Sequence, residues 1–433
     1  MQIGEGHDPS PDDIADVVLK QFDELPAKRK PRDRGVAGVR EWVPLSGIVA
    51  YSRTGMKCLP QSKLPLANGI VLHDQHAEIL CIRTLNHHLL QECLSLLNNP
   101  SLSSPILRFR PAPTDTPSTT SFQPFELLPD IKLFLYCSEA PCGDASMELT
   151  MAAQEDATPW DLPPTTTSIP TASLSPSPPP TLPGRANFQL LGHIRRKPSR
   201  ADAPPSLSKS CSDKISLMQS TSLLSSLTSL FISPSNVYLH RIILPSSQYS
   251  ESGFRRCFDT RLTGVKGRVW GHGYEFQQMG VGVTAREFKF SRRGGDGGKE
   301  VVGKFVSSNV AMSWMRGDGK TGGETLVNGC LQGRKLFDIR GASRICRKGT
   351  WGLGVQVMKA LTGAAVAGGF GNAGLVDGMV IEKISKCLMA EKYRDLKDSE
   401  ILEERRKVKE EVRACLGGWV RNEGDDKFGL EET

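Results

Sequence analysis

Apolar residues are what this 433-residue chain is short of. Only 38% of it is hydrophobic, below the usual globular share, so part of the chain is expected to lie outside any packed core. It also lacks a membrane-spanning run. The least polar long stretch, Leu361 to Ile381, is built largely of Gly and Ala and is broken by Asn372 and Asp377, so no membrane partner is expected. No secretory leader is expected either, because MQIGEGHDPSPDD is acidic and polar where a signal peptide is basic and then apolar. The eleven cysteines are odd in number and follow no repeating framework, which points to reduced, intracellular thiols. No internal repeat is found. Charge is nearly balanced, with 54 Lys and Arg against 47 Asp and Glu; the +7 excess suits a polyanion partner but is shared by many soluble proteins without one.

Length alone admits two or three domains at roughly 100–200 residues each. Between Thr158 and Gly184 nine of 27 residues are proline, which excludes a helix or central strand and has the look of a linker. Residues 99–124, rich in Ser, Thr and Pro, read as a second low-complexity insert. Around these stretches the pattern is mixed. Asp12–Phe22 reads as a helix, Trp42–Tyr51 as strand, Ile70–Leu72 as a short strand, and Ile131–Cys137 as a buried strand followed by a short helix. Ile79, Ile82, Leu85, Leu89, Cys93 and Leu96 lay one apolar stripe down a helix that begins at His76. Ser216–Phe231 reads as a Leu-rich helix, Val237–Leu244 as a strand, and Ser291–Lys299 as an exposed glycine-rich turn. The last forty residues are charged and helical until Leu416. Cys81, Cys93 and Cys137 follow apolar stripes and are expected in the core.

The chemistry concentrates at His76-Ala77-Glu78, at a helix start, and at Pro141-Cys142, directly after a buried strand. Zinc deaminases place one His and two thiolates on the metal and keep a nonligating Glu for proton transfer, with the signature H-x-E followed by P-C-x-x-C. The second cysteine of that signature is absent, since Ala145 stands three places after Cys142. A catalytic zinc normally has three protein ligands, so the third must come from elsewhere. Of the other ten cysteines, Cys211 has the best context, in SKSCSDKIS just before a helix, which places a thiolate near positive helix-end amides. The alternatives are a capping His, a buried thiol, or a structural zinc with four protein ligands; in the last, Glu78 would have no task. His73 reads as a local polar residue.

Taken together, HAEIL at His76, PCGDAS at Pro141 and SCSDKI at Ser210, with TGMKC at Thr54 and GASRIC at Gly341, resemble the adenosine deaminase family of RNA-editing and tRNA-editing enzymes. The resemblance runs from about Asp12 to Leu430. It implies that His76, Cys142 and Cys211 hold zinc, and that Glu78 carries protons to N1 of adenine and to the departing ammonia, giving inosine. WVPLSGIVAY, with a short N-terminus leaving no room for double-stranded RNA-binding modules, points to the tRNA branch, which acts on the adenosine 3′ of the anticodon in alanine tRNA. Extruding that base costs least where it is unpaired, which favours a loop substrate. The nearest alternatives are an editor of double-stranded RNA and a noncatalytic inositol-phosphate-dependent RNA-binding protein. No protein partner is evident.

The same resemblance implies a buried inositol hexakisphosphate beside the zinc. Lys57, Arg83, Lys214, Arg347, Tyr393, Lys397, Lys407 and Trp419 match its contacts, Asp426 supports them, and Asp74 with Lys214 forms a relay from zinc ligand to phosphate. Arg347 stands where a lysine is familiar, and Leu217 and Met218 stand where the RNA editors have Arg and Trp. Buried cations in such numbers repel one another unless a polyanion joins them. The helix Glu403–Glu411 as a whole, with its Glu and Lys at three and four spacings, is expected to be solvated. Arg195-Arg196-Lys197, Arg255-Arg256 and Arg292-Arg293 read as solvated surface or contacts to tRNA phosphates. KRKPR at Lys28 has the composition of a nuclear address, so nucleus and cytoplasm both remain open.

The expected fold is α/β: a three-layer α/β/α zinc deaminase domain with C-terminal elements enclosing the inositol polyphosphate. Cys142 and Cys211 flank the proline-rich stretch yet must meet at one metal. Residues 1–433 are therefore expected to be one domain, with 99–124 and 158–184 as inserts looping out of it.

Overall fold

Ser10 starts the first helix, α1 (Pro11–Asp23), through a reciprocal capping box with Asp13 and a proline at the first helical position. The buried side chains Ile14, Ala15, Val18 and Phe22 recur at helical spacing and dock on a sheet. This computed structural model describes residues 8–32, 40–49, 51–54, 58–99, 101–110, 122–153, 182–184, 190–198, 204–292, 305–315, 323–366 and 378–430.

The sheet has eight strands: β1 (Leu45–Ile48), β2 (Tyr51–Thr54), β3 (Leu133–Cys137), β4 (Leu239–Pro245), β5 (Gly280–Thr284), β6 (Val310–Ser313), β7 (Glu324–Val327) and β8 (Cys330–Leu331). Their order is β5-β4-β3-β1-β2-β6-β7-β8. Strand β4 runs parallel to both β3 and β5, and the other neighbouring pairs are antiparallel. The reason β3 reads as an unbroken apolar run lies in its two faces. Phe134 and Tyr136 pack with α1, while Leu133, Leu135 and Cys137 point the other way, into the core that holds the second helix.

That helix, α2 (Ala77–Asn98), carries the expected stripe, and every member of it is buried. It is buried on further sides as well, because α6 (Arg347–Val366) packs on it. Between them in sequence come α3 (Met147–Ala152), α4 (Cys211–Thr221) and α5 (Glu251–Phe258). The chain closes with α7 (Gly378–Leu388), α8 (Tyr393–Asp398) and α9 (Glu403–Leu416). Cys81, Cys93 and Cys137 are all core residues. Among the described residues no helix is long and apolar enough to cross a membrane.

Three sequence expectations are corrected. Ile70–Leu72 is not a strand; it follows a tight turn with Asn68 and Gly69 at positive φ and is tied by Leu72 N–H to Gly329 O. The Leu-rich helix begins earlier and stops sooner than Ser216–Phe231: Ser210 caps it, and Ser222 at φ 59 ends it. The leucines beyond, Leu223, Leu224, Leu227 and Leu230, are buried in the core without continuing the helix. Within 99–124, Leu107–Phe109 is a strand paired antiparallel with Phe125–Leu127. Residues 158–181 lie outside the described residues, as do 293–299 of the glycine-rich turn and Lys57.

The C-terminal segment returns to the site. Tyr393 stacks on Phe428, with centroids 5.0 Å apart and planes 15° from parallel, and the fully buried Trp351 lies against both rings. Phe428 in turn fills the space over Gly69, where any Cβ would collide with the ring and the positive φ favours glycine. Asp425 accepts from Gly69 N–H at 2.7 Å and from His73 Nε2 at 2.6 Å, and its side chain and carbonyl also take Arg347 Nη1. The turn leading into His76 is thereby fixed from the far end of the chain.

Candidate metal centre and cation-lined cavity

Three helix starts converge. His76 is the N-cap of α2 and Cys211 the first residue of α4, while Cys142 stands two residues before the turn Asp144–Ser146 that opens α3. The ligand atoms of His76, Cys142 and Cys211 all lie within 4.8 Å of one another. Cys142 Sγ is 3.6 Å from His76 Nδ1 and accepts the Cys211 N–H at 3.4 Å. Amides at helix starts favour negative sulfur, which is the form that binds metal. Gly143 makes the convergence possible: at φ 112 it lies against Ser210, the cap of α4, and a Cβ there would overlap the serine side chain.

The cysteine pair behaves as a unit. A hydrogen bond from the Cys211 thiol holds Cys142 well below the usual thiol range, while burial and that same bond hold Cys211 well above it. The two sulfurs and the imidazole stand close enough for one cation with thiolate ligands, and the His/Cys/Cys set matches zinc chemistry. Cys58, Asp74 and His76 form a second close group. There Asp74 is already committed, accepting from Lys197 at 2.8 and 3.0 Å, from Lys214, from Ser208 Oγ at 3.2 Å and from His76 N–H at 3.1 Å. Glu78, the second residue of α2 and only 6% exposed, is not in either ligand group, and burial followed by the nearby Cys142 pushes its carboxyl up.

Lys197 is a residue that sequence reasoning misread. Arg195-Arg196-Lys197 had the composition of a solvated or RNA-facing cluster, yet Arg195 is 1% and Lys197 4% exposed. The Lys197 ammonium donates to Cys211 Sγ at 3.1 Å as well as to Asp74. Burial opposes its charge, but Asp74 and the sulfurs outweigh that and keep it protonated. Arg195 spends its guanidinium on the carbonyls of Gly184 and Leu190 at 3.1 and 2.7 Å. Of the other clusters, Arg256 is bound to Asp144 and Glu148, Arg292 lies over the Trp42 ring, and Arg293 falls outside the described residues.

Beyond Lys214 opens a cavity of about 690 Å³. Eleven cations line it (Arg83, Lys209, Lys214, Arg347, Arg394, Lys397, Arg405, Arg406, Lys409, Arg413 and Arg421) against five carboxylates (Asp74, Asp398, Glu410, Glu423 and Asp426). Tyr393 and Trp419 line it too. Asp74, Arg83, Lys214, Arg347, Tyr393, Lys397, Trp419 and Asp426 are therefore brought together as the sequence expected. Leu217 and Met218 complete a less polar wall.

Lys407 is the exception. It is exposed, ion-paired with Glu404 at 3.8 Å, and does not line the cavity. The cause is helical phase. Val408, Val412 and Leu416 bury one stripe of α9, and Arg405, Lys409 and Arg413 form the neighbouring stripe facing the cavity; Lys407 is roughly 200° around from Lys409. The expectation that Glu403–Glu411 is solvated as a whole is corrected by the same geometry, since Arg405 is 5% exposed and donates to Thr221 O, Leu224 O and the Tyr274 hydroxyl. Spacing of Arg405, Lys409 and Arg413 beside an apolar stripe was the available signal.

The cavity shows the strain of unbalanced charge. Burial and then neighbouring cations push Lys209 down to about 7 and Lys397 down to about 8, and drive Lys409 well below the usual lysine range. The buried Nε atoms of Arg83, Arg405 and Arg413 and Oδ1 of Asp426 have no hydrogen-bond partner. Buried cations of this kind need anionic partners to offset the cost of their desolvation. His73 takes no part in the metal group: it faces Asp425, and burial with Arg347 nearby lowers it to about 4.

Comparison with known proteins agrees with this arrangement. The profile of the adenosine-deaminase (editase) domain matches residues 53–422. The chain is 34% identical over 369 residues to tRNA-specific adenosine deaminase 1 of Schizosaccharomyces pombe, spanning 81% of this chain and 86% of that one. It is 32% identical over 274 residues to the Saccharomyces cerevisiae protein of the same name, covering 60% and 64%. Similarity to the double-stranded RNA-specific editase Adar of Drosophila melanogaster is 28% over 256 residues, 56% of this chain and 34% of that protein.

Proposed function

The chain belongs to the adenosine-deaminase (editase) family, and from that premise we propose that it converts adenosine to inosine in tRNA, at the position 3′ of the anticodon in alanine tRNA. The observation that carries this reading is the approach of His76, Cys142 and Cys211 to within 4.8 Å beside a buried Glu78 that is left out of the ligand set. Those three side chains would hold zinc, which would supply a water acidic enough to act as a nucleophile near neutral pH. The Glu78 carboxylate would take one proton from the attacking water and deliver it to N1 of adenine as C6 is attacked, then take the proton of the new C6 hydroxyl and pass it to the amino group, which leaves as ammonia while N1 keeps its hydrogen. Lys197 orients the Cys211 sulfur and shares Asp74 with Lys214, which links the metal group to the cavity. An anticodon-loop base is unpaired and is extruded into the site at low cost.

Inosine mapping across total tRNA, with a duplex hairpin in parallel, tests the substrate. Inosine is expected beside the anticodon of alanine tRNA and not in the hairpin. Zinc-replete protein that leaves alanine tRNA unmodified would sink the proposal, and inosine in the hairpin alone would move the protein to the duplex-RNA editors. Ligand assignment is tested by chelation and by Cys211→Ser; each is expected to remove both metal and turnover, and full activity without metal would exclude the mechanism.

Inositol hexakisphosphate is the occupant we assign to the cavity, held by the lining cations with Lys409 in the place expected of Lys407. The support is the excess of cations, the orphaned arginine Nε atoms and the depressed lysines. We also read residues 1–433 as one deaminase domain with inserts at 99–124 and 158–184, in an intracellular protein. Its two cysteine ligands come from either side of the second insert.

A further inference from the structure

A second buried charge network lies outside the metal group and the cavity. Asp144 and Asp213 are both wholly buried, and each stands two residues after a metal-site cysteine, Cys142 or Cys211. Arg261, in the turn after α5, joins them: Nη2 donates to Asp213 Oδ1 at 2.9 Å and Nη1 lies 3.5 Å from Asp144 Oδ2. Asp213 also accepts from Ser210 Oγ at 2.6 Å and from Arg195 N–H at 3.0 Å, so the α4 cap and the segment bearing Lys197 hang on the same carboxylate.

From this geometry we infer that Arg261 is a positioning residue that fixes the separation and relative rotation of Cys142 and Cys211. The inference rests on the metal reading above. The two cysteines stand on separate helix starts, and the chain between them includes the proline-rich stretch, so sequence proximity does not set their distance. Backbone ties near the sulfurs exist, such as Ser212 N–H to Cys142 O at 3.1 Å, but a tie on one side leaves a pivot. Arg261 pins both motifs on the side away from the sulfurs, and two separated links remove that rotation. A guanidinium can hold two carboxylates through different nitrogens, and an ammonium, being a point charge, does this poorly. Arg256 provides the contrast. It binds Asp144 at 3.1 Å and Glu148, and so stiffens the Cys142 side without bridging to Asp213.

Zinc affinity of the full chain, stripped of metal under reducing conditions and titrated against a chromophoric chelator, tests this. Cobalt substitution, read through the sulfur-to-metal charge-transfer band, gives an independent view of ligand geometry. Arg261→Lys is expected to weaken zinc about 10- to 100-fold, the range for partners that orient ligands, and to alter the cobalt band. Arg256→Lys is expected to stay within about threefold of the parent by the same reasoning. Asp213→Asn weakens the bridge from the other side while keeping an amide oxygen for Ser210, and is expected to fall with Arg261→Lys should that variant fold poorly. Parental affinity in both Arg261→Lys and Asp213→Asn, or equal losses in Arg261→Lys and Arg256→Lys, overturns the inference. Cys142→Ser and Cys211→Ser keep the premise separate: parental zinc affinity in these would overturn the metal reading itself.

Discussion

Replacing Glu78 with Gln is expected to slow inosine formation by about 10²- to 10⁴-fold, the span attributed to a positioned proton carrier, while bound zinc stays stoichiometric. Gln keeps the size of the side chain and its hydrogen-bonding capacity but cannot take up and release a proton. The metal should be retained because Glu78 stands outside the group formed by His76, Cys142 and Cys211. A raised carboxyl pKa suits the task, since a carboxylate that is too acidic would hold its proton too weakly to pass it on. Single-turnover assays with metal analysis of the same sample read both quantities. Turnover at the parental rate would remove Glu78 from the mechanism, whereas joint loss of metal and activity would make it a ligand.

The second large effect concerns two lysines on one helix. Lys409→Ala is expected to destabilise the anion-loaded protein by about 2–5 kcal/mol, the cost of truncating one partner of a buried charge pair. Lys407→Ala, at an exposed position on the same helix, should remain within about 0.5 kcal/mol. Equal melting temperatures would refute a buried polyanion at this cavity. Mass spectrometry of the acid-denatured parent should release one inositol hexakisphosphate per chain. Protein stripped of the anion should respond to pH with a definite sign. Lys209 titrates at about 7 in the fold against an ordinary 10.5, so between those values the unfolded chain binds more protons. Stability should then rise with pH across that window in urea melts, and the anion-loaded protein should lack this rise. A flat profile for the stripped protein would count against desolvated cavity lysines.

What could be read in the sequence was local. His76 and Glu78 are two residues apart at the head of an amphipathic helix, and Cys142 ends the segment after an apolar strand, so spacing alone exposes them. Cys211 was read as lying just before a helix, and the structure moves the helix start up to it, with Ser210 as the cap accepting from Asp213 N–H. The apolar stripe of α2 and the unbroken run of β3 report burial on both sides of the sheet. Short apolar runs were less informative: Ile70–Leu72 is apolar because Ile70 and Val71 join one buried cluster and Leu72 another, without any strand.

The sequence by itself therefore pointed to the candidate ligand types, the candidate proton carrier and the alternation of helix and strand, because each is read from residues within a few positions of one another. Only tertiary structure decided that Lys197 reaches Cys211 and Asp74, that Asp425 pins the turn before His76, and that Arg261 joins the two cysteine motifs. It also decided which cations of α9 turn inward, since that phase is set by Val408, Val412 and Leu416 packing against Leu262, Val265 and Trp270. A charged side chain looks the same in sequence whether it meets water or a buried carboxylate, and the partner that distinguishes the two comes from a distant part of the chain.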